Sequence, residues 1–276
     1  MKMFETADSH RFPRMTTPEL RQAFLITDLF RPGQLDLVYT DQDRAIIGSA
    51  IPLAAPLILP TDDALKADYF TERRELGLLN IGGPGSVLVG DQSHALAPLD
   101  ALYIGRGNPS VAFLSDLPNH PAEFYLLSYP SHAPWPTRQI HSADQPSSII
   151  GTPETANHRA ISRLIHLGGI RSSQLVMGFT RLSPGSVWNT MPPHTHMRRS
   201  EVYLYFNLPE GERVIHLMGP AHETRHLVVA NKQAIVSPGW SIHAGSGTAN
   251  YSFCWGMGGE NQVYDDMDKL AIADLL

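Results

Sequence analysis

The sequence predicts an all-β protein: two β-rich halves in tandem, with a few short helices. Three observations predict it. Apolar runs are of strand length, glycine and proline (22 of each) punctuate them, and a cluster of prolines divides the chain near its middle. Prolines at 130, 134, 136, 146 and 153 mark a connection. The expected division is residues 1–135, a proline-rich linker over 136–160, and residues 161–276.

Taken in order, Thr17-Pro18-Glu19 opens a helix, with Thr17 as cap and proline at the first helical position. Leu20, Phe24 and Leu25 form one apolar face, so this helix should run to about Phe30. Residues 35–39 alternate partly, as a half-buried strand does. Residues 78–81, 86–89, 101–104, 111–114 and 124–127 are further strands. Gly82-Gly83-Pro84-Gly85, Gly90-Asp91 and Gly105-Arg106-Gly107-Asn108 are turns between them. Beyond the prolines, strands are expected over 174–182, 202–206, 213–218, 225–229, 234–237 and 251–255. Residues 265–276 carry Met267, Leu270, Ala271 and Leu275 at helical spacing after early aspartates, which suit a helix N-terminus. A C-terminal helix is expected there.

Composition excludes several classes. With 276 residues, 42% apolar and 17% charged, the chain has the makings of a packed globular protein. A net charge of −6 gives no basic footprint for nucleic acid. The single cysteine, Cys254, rules out an intrachain disulfide and a Cys-rich zinc site; within Phe253-Cys254-Trp255 it reads as a buried thiol. No stretch suits a membrane span and the N-terminus has no apolar secretion signal, so a cytoplasmic protein is expected.

One constellation carries chemistry. His194-Thr195-His196 is followed by Glu201 and later by His243. Three imidazoles and a carboxylate fill most of the coordination sphere of a divalent transition metal and leave room for a water or substrate oxygen. His194 and His196, two apart, face one way if extended, and Pro192-Pro193 favours that. Glu201 lies an odd number of residues away, so Met197-to-Ser200 must turn or bulge, with the turn expected at Arg198-Arg199-Ser200. The halves also rhyme. Setting Glu75 of Arg73-Arg74-Glu75 against Glu201 puts Asp68 and Phe70 where the paired histidines stand. Pro98-to-Tyr103 resembles Pro238-to-His243, which puts Tyr103 at the last histidine. Only the second half then holds a metal.

Gly185, the His-x-His pair, the glutamate and the Pro-to-His turn resemble the two motifs of the cupin superfamily, jelly-roll β-barrels. The gap from Gly185 to His194 is longer than usual, and Trp240 stands where glycine is common. Over nearly the whole chain, Tyr69-Phe70-Thr71-Glu72-Arg73-Arg74-Glu75-Leu76-Gly77, Trp188-Asn189-Thr190-Met191-Pro192, Glu223-Thr224-Arg225-His226 and Gly256-Met257-Gly258-Gly259-Glu260-Asn261-Gln262 resemble the 5-keto-4-deoxyuronate isomerase family. That resemblance implies two cupin domains in tandem, the second binding metal, and a hexamer. It implies one Zn2+ per subunit on His194, His196, Glu201 and His243. It implies isomerisation of a keto-uronate, 5-dehydro-4-deoxy-D-glucuronate, to 3-deoxy-D-glycero-2,5-hexodiulosonate in pectin breakdown.

The residues alone leave the general base open among Glu201, His216, His226, Glu260 and Tyr264. Arginine suits a substrate carboxylate, with Arg198, Arg199 and Arg225 as candidates. Glu201, His226 and Arg199 are the catalytic set taken forward. The competing readings are another metal-dependent cupin enzyme, either a sugar isomerase or a dioxygenase, and a non-catalytic sugar-binding cupin.

Overall fold

The computed structural model describes all 276 residues. The chain forms two compact units. The first comprises Met1–Phe4, Asp28–Pro146 and Leu164–Val176, and the second Glu5–Thr27, Ser147–Arg163 and Met177–Leu276. These differ from the expected division at 136–160. Leu25–Ile26 pairs with the strand Ala234–Ser237, which draws the N-terminal helix into the second unit. The proline-rich stretch is no bare linker: it supplies edge strands Arg138–Ile140 and Ser147–Ile150.

Each unit is a seven-stranded sheet and a four-stranded sheet, and the two units share one order. In the first, the large sheet runs Lys2–Phe4, Leu35–Thr40, Ile46–Ala50, Phe124–Pro130, Arg74–Asn80, Ala101–Ile104, Arg138–Ile140. In the second it runs Ser147–Ile150, Arg159–Ile165, Val176–Leu182, Ser252–Gly259, Arg199–Phe206, Ala234–Ser237, Leu25–Ile26. The small sheets are Leu57–Ile58, Val111–Ser115, Gly85–Val89, Gln92–Leu96 against Trp188–Asn189, Ile242–Gly247, Val214–Gly219, Arg225–Val229. This order corrects one sequence expectation. The strand of Tyr103 takes the place of Ala234–Ser237, whereas the strand of His243 corresponds to Val111–Ser115. Counting along the ladders from Ser115↔Gly85 and from Gly247↔Val214, Val111 stands where His243 stands.

Alternation builds the first core. Val87 and Val89 meet Val111 and Phe113 across the small sheet, and Leu76, Leu78, Leu102, Phe124 and Leu126 close on them from the large one. The residue two along a strand returns to the same face, which brings these side chains together. Cys254 is fully buried, as expected, and burial pushes its thiol up.

Two helix expectations change. The N-terminal helix spans Thr17–Phe24, capped by Thr16, whose backbone N–H donates to Glu19 at 2.7 Å. It stops before Leu25 because that residue joins a sheet edge. The C-terminal α-helix does not form, and only a three-residue 3-10 helix, Ile272–Asp274, lies in that stretch. Asp268–Lys269 instead pairs with His194–Thr195, and Asp266 and Asp268 hold Arg198. Partners for that segment's backbone and aspartates outside any helix decide the outcome. No helix is long and apolar enough to cross a membrane.

Candidate metal centre

His194 lies in the short strand His194–Thr195, so His196, two residues on, faces the same way. The chain then turns at Met197-Arg198, closed by the Arg199 N–H donating to the His196 carbonyl at 2.9 Å. This is one residue earlier than the expected turn, and it brings Glu201 round on the strand Arg199–Phe206. Pro238-Gly239 passes against the same backbone. A Cβ on Gly239 would lie 3.0 Å from the His196 carbonyl oxygen and 2.9 Å from that of Met197. Glycine permits that approach, and the chain continues into Ile242–Gly247 with His243 near its start.

The ligand atoms of His194, His196, Glu201 and His243 all lie within 4.8 Å of one another. Glu201 Oε2 is 2.9 Å from both His196 Nε2 and His243 Nε2, and His243 Nε2 is 3.0 Å from His194 Nε2. His196, Glu201 and His243 are buried and His194 is half-buried.

These contacts fit a cation. His196 Nδ1 is 2.8 Å from the Arg199 carbonyl, which accepts only, so Nδ1 carries the hydrogen and Nε2 of the neutral ring offers a lone pair. That lone pair faces a carboxylate oxygen, an arrangement that needs positive charge between them. Burial disfavours a charged His196, yet its hydrogen bond to Glu201 and that residue's charge raise the imidazole above its ordinary value. Burial alone would raise the Glu201 carboxyl; His243 and His196 beside it hold it well below the carboxylate range. Burial, with His243 adding to it, pushes His194 down to about 3. Metal–nitrogen bonds of about 2.0–2.1 Å put neighbouring donor atoms roughly 3 Å apart, as in the His196–Glu201, His243–Glu201 and His243–His194 pairs.

A cavity of about 260 Å³ opens on His194 and Glu201. Its wall also carries Thr190, Tyr203, Tyr264 and Asp265, and two cations, Arg159 and Lys269. Tyr203 Oη and Thr190 Oγ1 are 2.9 Å apart. Burial, then the charge of Glu201, raises both the Tyr203 and the Tyr264 phenols, so each stays protonated.

The remaining expected residues lie elsewhere. His226 is exposed on Arg225–Val229, and Glu260 is exposed; neither lines the cavity. His216 is fully buried in the barrel, with Nδ1 2.7 Å from the Tyr205 hydroxyl, and burial pushes it down to about 3. Arg198 is taken up by Asp266 and Asp268. Arg199 is buried and donates to the carbonyls of Val263 and Asp266, each at 2.8 Å, which ties down the chain beside the site. Arg225 donates to the carbonyls of Pro13 and Met15. Tyr264 alone of the non-ligand base candidates reaches the wall. Trp240, the departure from glycine, packs edge-on against Phe12 at 5.3 Å and Phe24 at 6.3 Å.

Sequence reasoning missed Arg159, Asp265 and Lys269. Arg159 opens a strand in which Arg159 and Ile161 both line the cavity. That period of two was the available signal, hidden by the charged residues and the prolines before it.

The sequence pattern of the KduI/IolB family matches residues 27–272. A 4-deoxy-L-threo-5-hexosulose-uronate ketol-isomerase of Opitutus terrae is 51% identical over 276 residues, covering 100% of both chains. Among solved structures, an IolB-like protein from Salmonella typhimurium LT2 matches with a TM-score of 0.71 at 15% identity, over 90% of this chain and 96% of that one. The oxalate decarboxylase of Lactobacillus farciminis matches with a TM-score of 0.61 at 10% identity, over 90% and 88%. Those two likenesses concern the fold, a tandem pair of cupin barrels.

Proposed function

The chain belongs to the KduI/IolB family, and from that premise we propose that it converts 5-dehydro-4-deoxy-D-glucuronate to 3-deoxy-D-glycero-2,5-hexodiulosonate with zinc held by His194, His196, Glu201 and His243. The reaction class is that of an intramolecular oxidoreductase interconverting aldose and ketose. The observation that carries the zinc reading is the convergence of three imidazoles and one carboxylate, of which His194 and Glu201 line a cavity. The proposal extends to a hexameric assembly and a cytoplasmic role in uronate breakdown, as the family resemblance implies.

The reaction moves a hydrogen from C2 to C1 and the hydroxyl proton from O2 to O1, with nothing gained or lost. When bound, the divalent ion supplies Lewis-acid polarisation of the substrate's carbonyl and hydroxyl oxygens. The Arg199 carbonyl fixes the His196 tautomer and so aims its Nε2. Tyr203 and Tyr264, held protonated by burial, are donors for charge that develops on oxygen. Glu201 and Asp265 are the carboxylates on the cavity wall, so the proton transfer between C2 and C1 falls to one of these two.

Turnover of 5-dehydro-4-deoxy-D-glucuronate by the purified protein tests the reading, with chelation and zinc add-back. The expected result is formation of the diulosonate without oxygen uptake, loss on chelation and recovery with zinc. Zinc-loaded protein that binds the uronate and leaves it unchanged would sink the enzyme reading, and oxygen uptake would point to a dioxygenase. Asp265→Asn should lose turnover and keep zinc if Asp265 carries the proton. If it retains full turnover, the transfer belongs to Glu201.

A further inference from the structure

Arg159 differs from the other arginines of its unit. It is 9% exposed and lies on the cavity wall. Its one hydrogen bond runs from Nη1 to the Asn157 carbonyl, at 2.7 Å. The titratable groups around it are the phenols of Tyr203, Tyr264 and Tyr251, not a carboxylate. Arg198 by contrast has two aspartates, Arg199 and Arg225 have pairs of carbonyls, and Arg163 lies over the Tyr264 ring at 4.6 Å. A buried guanidinium without a counter-ion is costly, and the side of it that carries no protein carboxylate faces open space.

We propose that Arg159 is the counter-ion for the substrate's carboxylate, so that the cavity takes a six-carbon acid stretched from the four-ligand cluster to this guanidinium. The inference rests on the isomerase reading for the direction of the substrate. The large sheet runs Arg159–Ile165, Val176–Leu182, Ser252–Gly259, Arg199–Phe206. Arg159 therefore lies three strand spacings, roughly 14 Å, across the sheet from Glu201. Along the strands it stands nearer the Phe206 end, because the Ser183 N–H donates to the His158 carbonyl, the Leu182 N–H to the Tyr251 carbonyl, and Phe206 pairs with Ser252. An extended chain of six carbons, with bonds of about 1.5 Å, spans roughly 6 Å. Arg159 and Glu201 both reach the wall of the one cavity, so their side chains and the open space between them take up the remainder. The reacting carbons, C1 and C2, belong at the ligand cluster, which sends the carboxylate at C6 to the far end. Lys269, the other cation on the wall, pairs with His194 in the ladder and is exposed, so it stands at the wrong end. A guanidinium also offers the two parallel donors that a carboxylate accepts.

Arg159→Met and Arg159→Lys test this, with bound zinc and melting temperature measured on each. Arg159→Met should keep its zinc and raise KM by roughly 10- to 100-fold, with a much smaller change in kcat. Arg159→Lys, which keeps the charge but loses the fork, should fall between. Calorimetry provides a readout independent of turnover: wild-type protein should bind D-glucuronate in preference to D-glucose, its neutral counterpart, and Arg159→Met should lose that preference. A purely structural tie to Asn157 would leave the preference intact. A folded, zinc-replete Arg159→Met with wild-type KM or preference would overturn the proposal, and so would wild-type protein with no preference. Should Arg159→Met not fold, an Arg159→Lys with wild-type KM would overturn it equally. Failure of the isomerase reading looks different: no turnover in the wild type, with the binding preference still measurable.

Discussion

Strand for strand the two barrels are alike, yet the same places hold opposite chemistry. Counting back from the paired glutamates, Phe70 stands where His196 stands. Along the small sheets Val111 matches His243, Val87 matches His216, and Phe113 matches Gly245. All four residues of the first barrel belong to its apolar core. In the second, a Cβ on Gly245 would lie 2.9 Å from the Tyr205 hydroxyl, so the missing side chain makes room for the Tyr205–His216 pair. Even the shared glutamates differ in use. Glu201 faces imidazoles, whereas Glu75, fully buried, accepts from the Tyr103 hydroxyl and from the backbone N–H groups of Ser173, Gln174 and Leu175 at 2.6–2.8 Å. The architecture tolerates a packed interior or an open polar one; a handful of side chains decides which.

Making the second barrel resemble the first should have the largest effect. The double substitution His196→Phe and His243→Val is expected to abolish zinc binding and lower kcat/KM at least a thousandfold, about 4 kcal/mol of transition-state stabilisation. Elemental analysis and steady-state kinetics check it, and retained stoichiometric zinc would refute the ligand set. Attacking the first barrel should instead cost stability. Glu75→Ala strands three backbone donors and is expected to lose about 3 kcal/mol or more in denaturant unfolding, while the folded fraction keeps its zinc and turnover.

A smaller effect separates the barrels by acid sensitivity. Burial holds His216 down to about 3 in the fold, below the ordinary imidazole value of 6.5, so the unfolded chain binds the extra proton first. Its contribution to stability is present above pH 6.5 and is lost as pH falls toward 3. His216→Val, which installs the residue of the first barrel, should flatten that loss by roughly 2 kcal/mol at pH 5; equal pH slopes in variant and wild type would count against it. Smallest of all, His226→Ala on the exposed face should change stability by less than about 0.5 kcal/mol and leave kcat and KM unchanged, whereas a base at His226 would make turnover collapse.

The sequence was most readable where local chemistry repeats. Ala101–Ile104, Arg225–Val229 and Ala234–Ser237 match their expected bounds, because a short apolar run or alternation between turn residues is a local signal. The cluster of His194, His196, Glu201 and His243 was legible because three imidazoles and a carboxylate are residue types that suit a metal. What escaped depended on distant partners. Ile46–Ala50 is buried at every position, yet Gly48 and Ser49 break its apolar run, and it is held by strands on both sides. Residues 265–276 have helical spacing, but the His194 strand and Arg198 claim them. Arg199 looks like a substrate clamp in sequence and is a buried tie in the fold, while Arg159, some forty residues earlier, reaches the cavity.

The placement of Leu25–Ile26 on the edge of the second barrel's large sheet bears on how the chain is made. Ribosomes deliver the N-terminus first, at about 5–20 residues per second, so the partner Ala234–Ser237 emerges roughly 10–40 s later. During that interval Phe12 and Phe24 have no Trp240 to pack on. The nascent chain therefore carries an apolar segment that must stay unaggregated until most of the second barrel exists, and a fragment cut at the mid-chain prolines would leave that segment stranded.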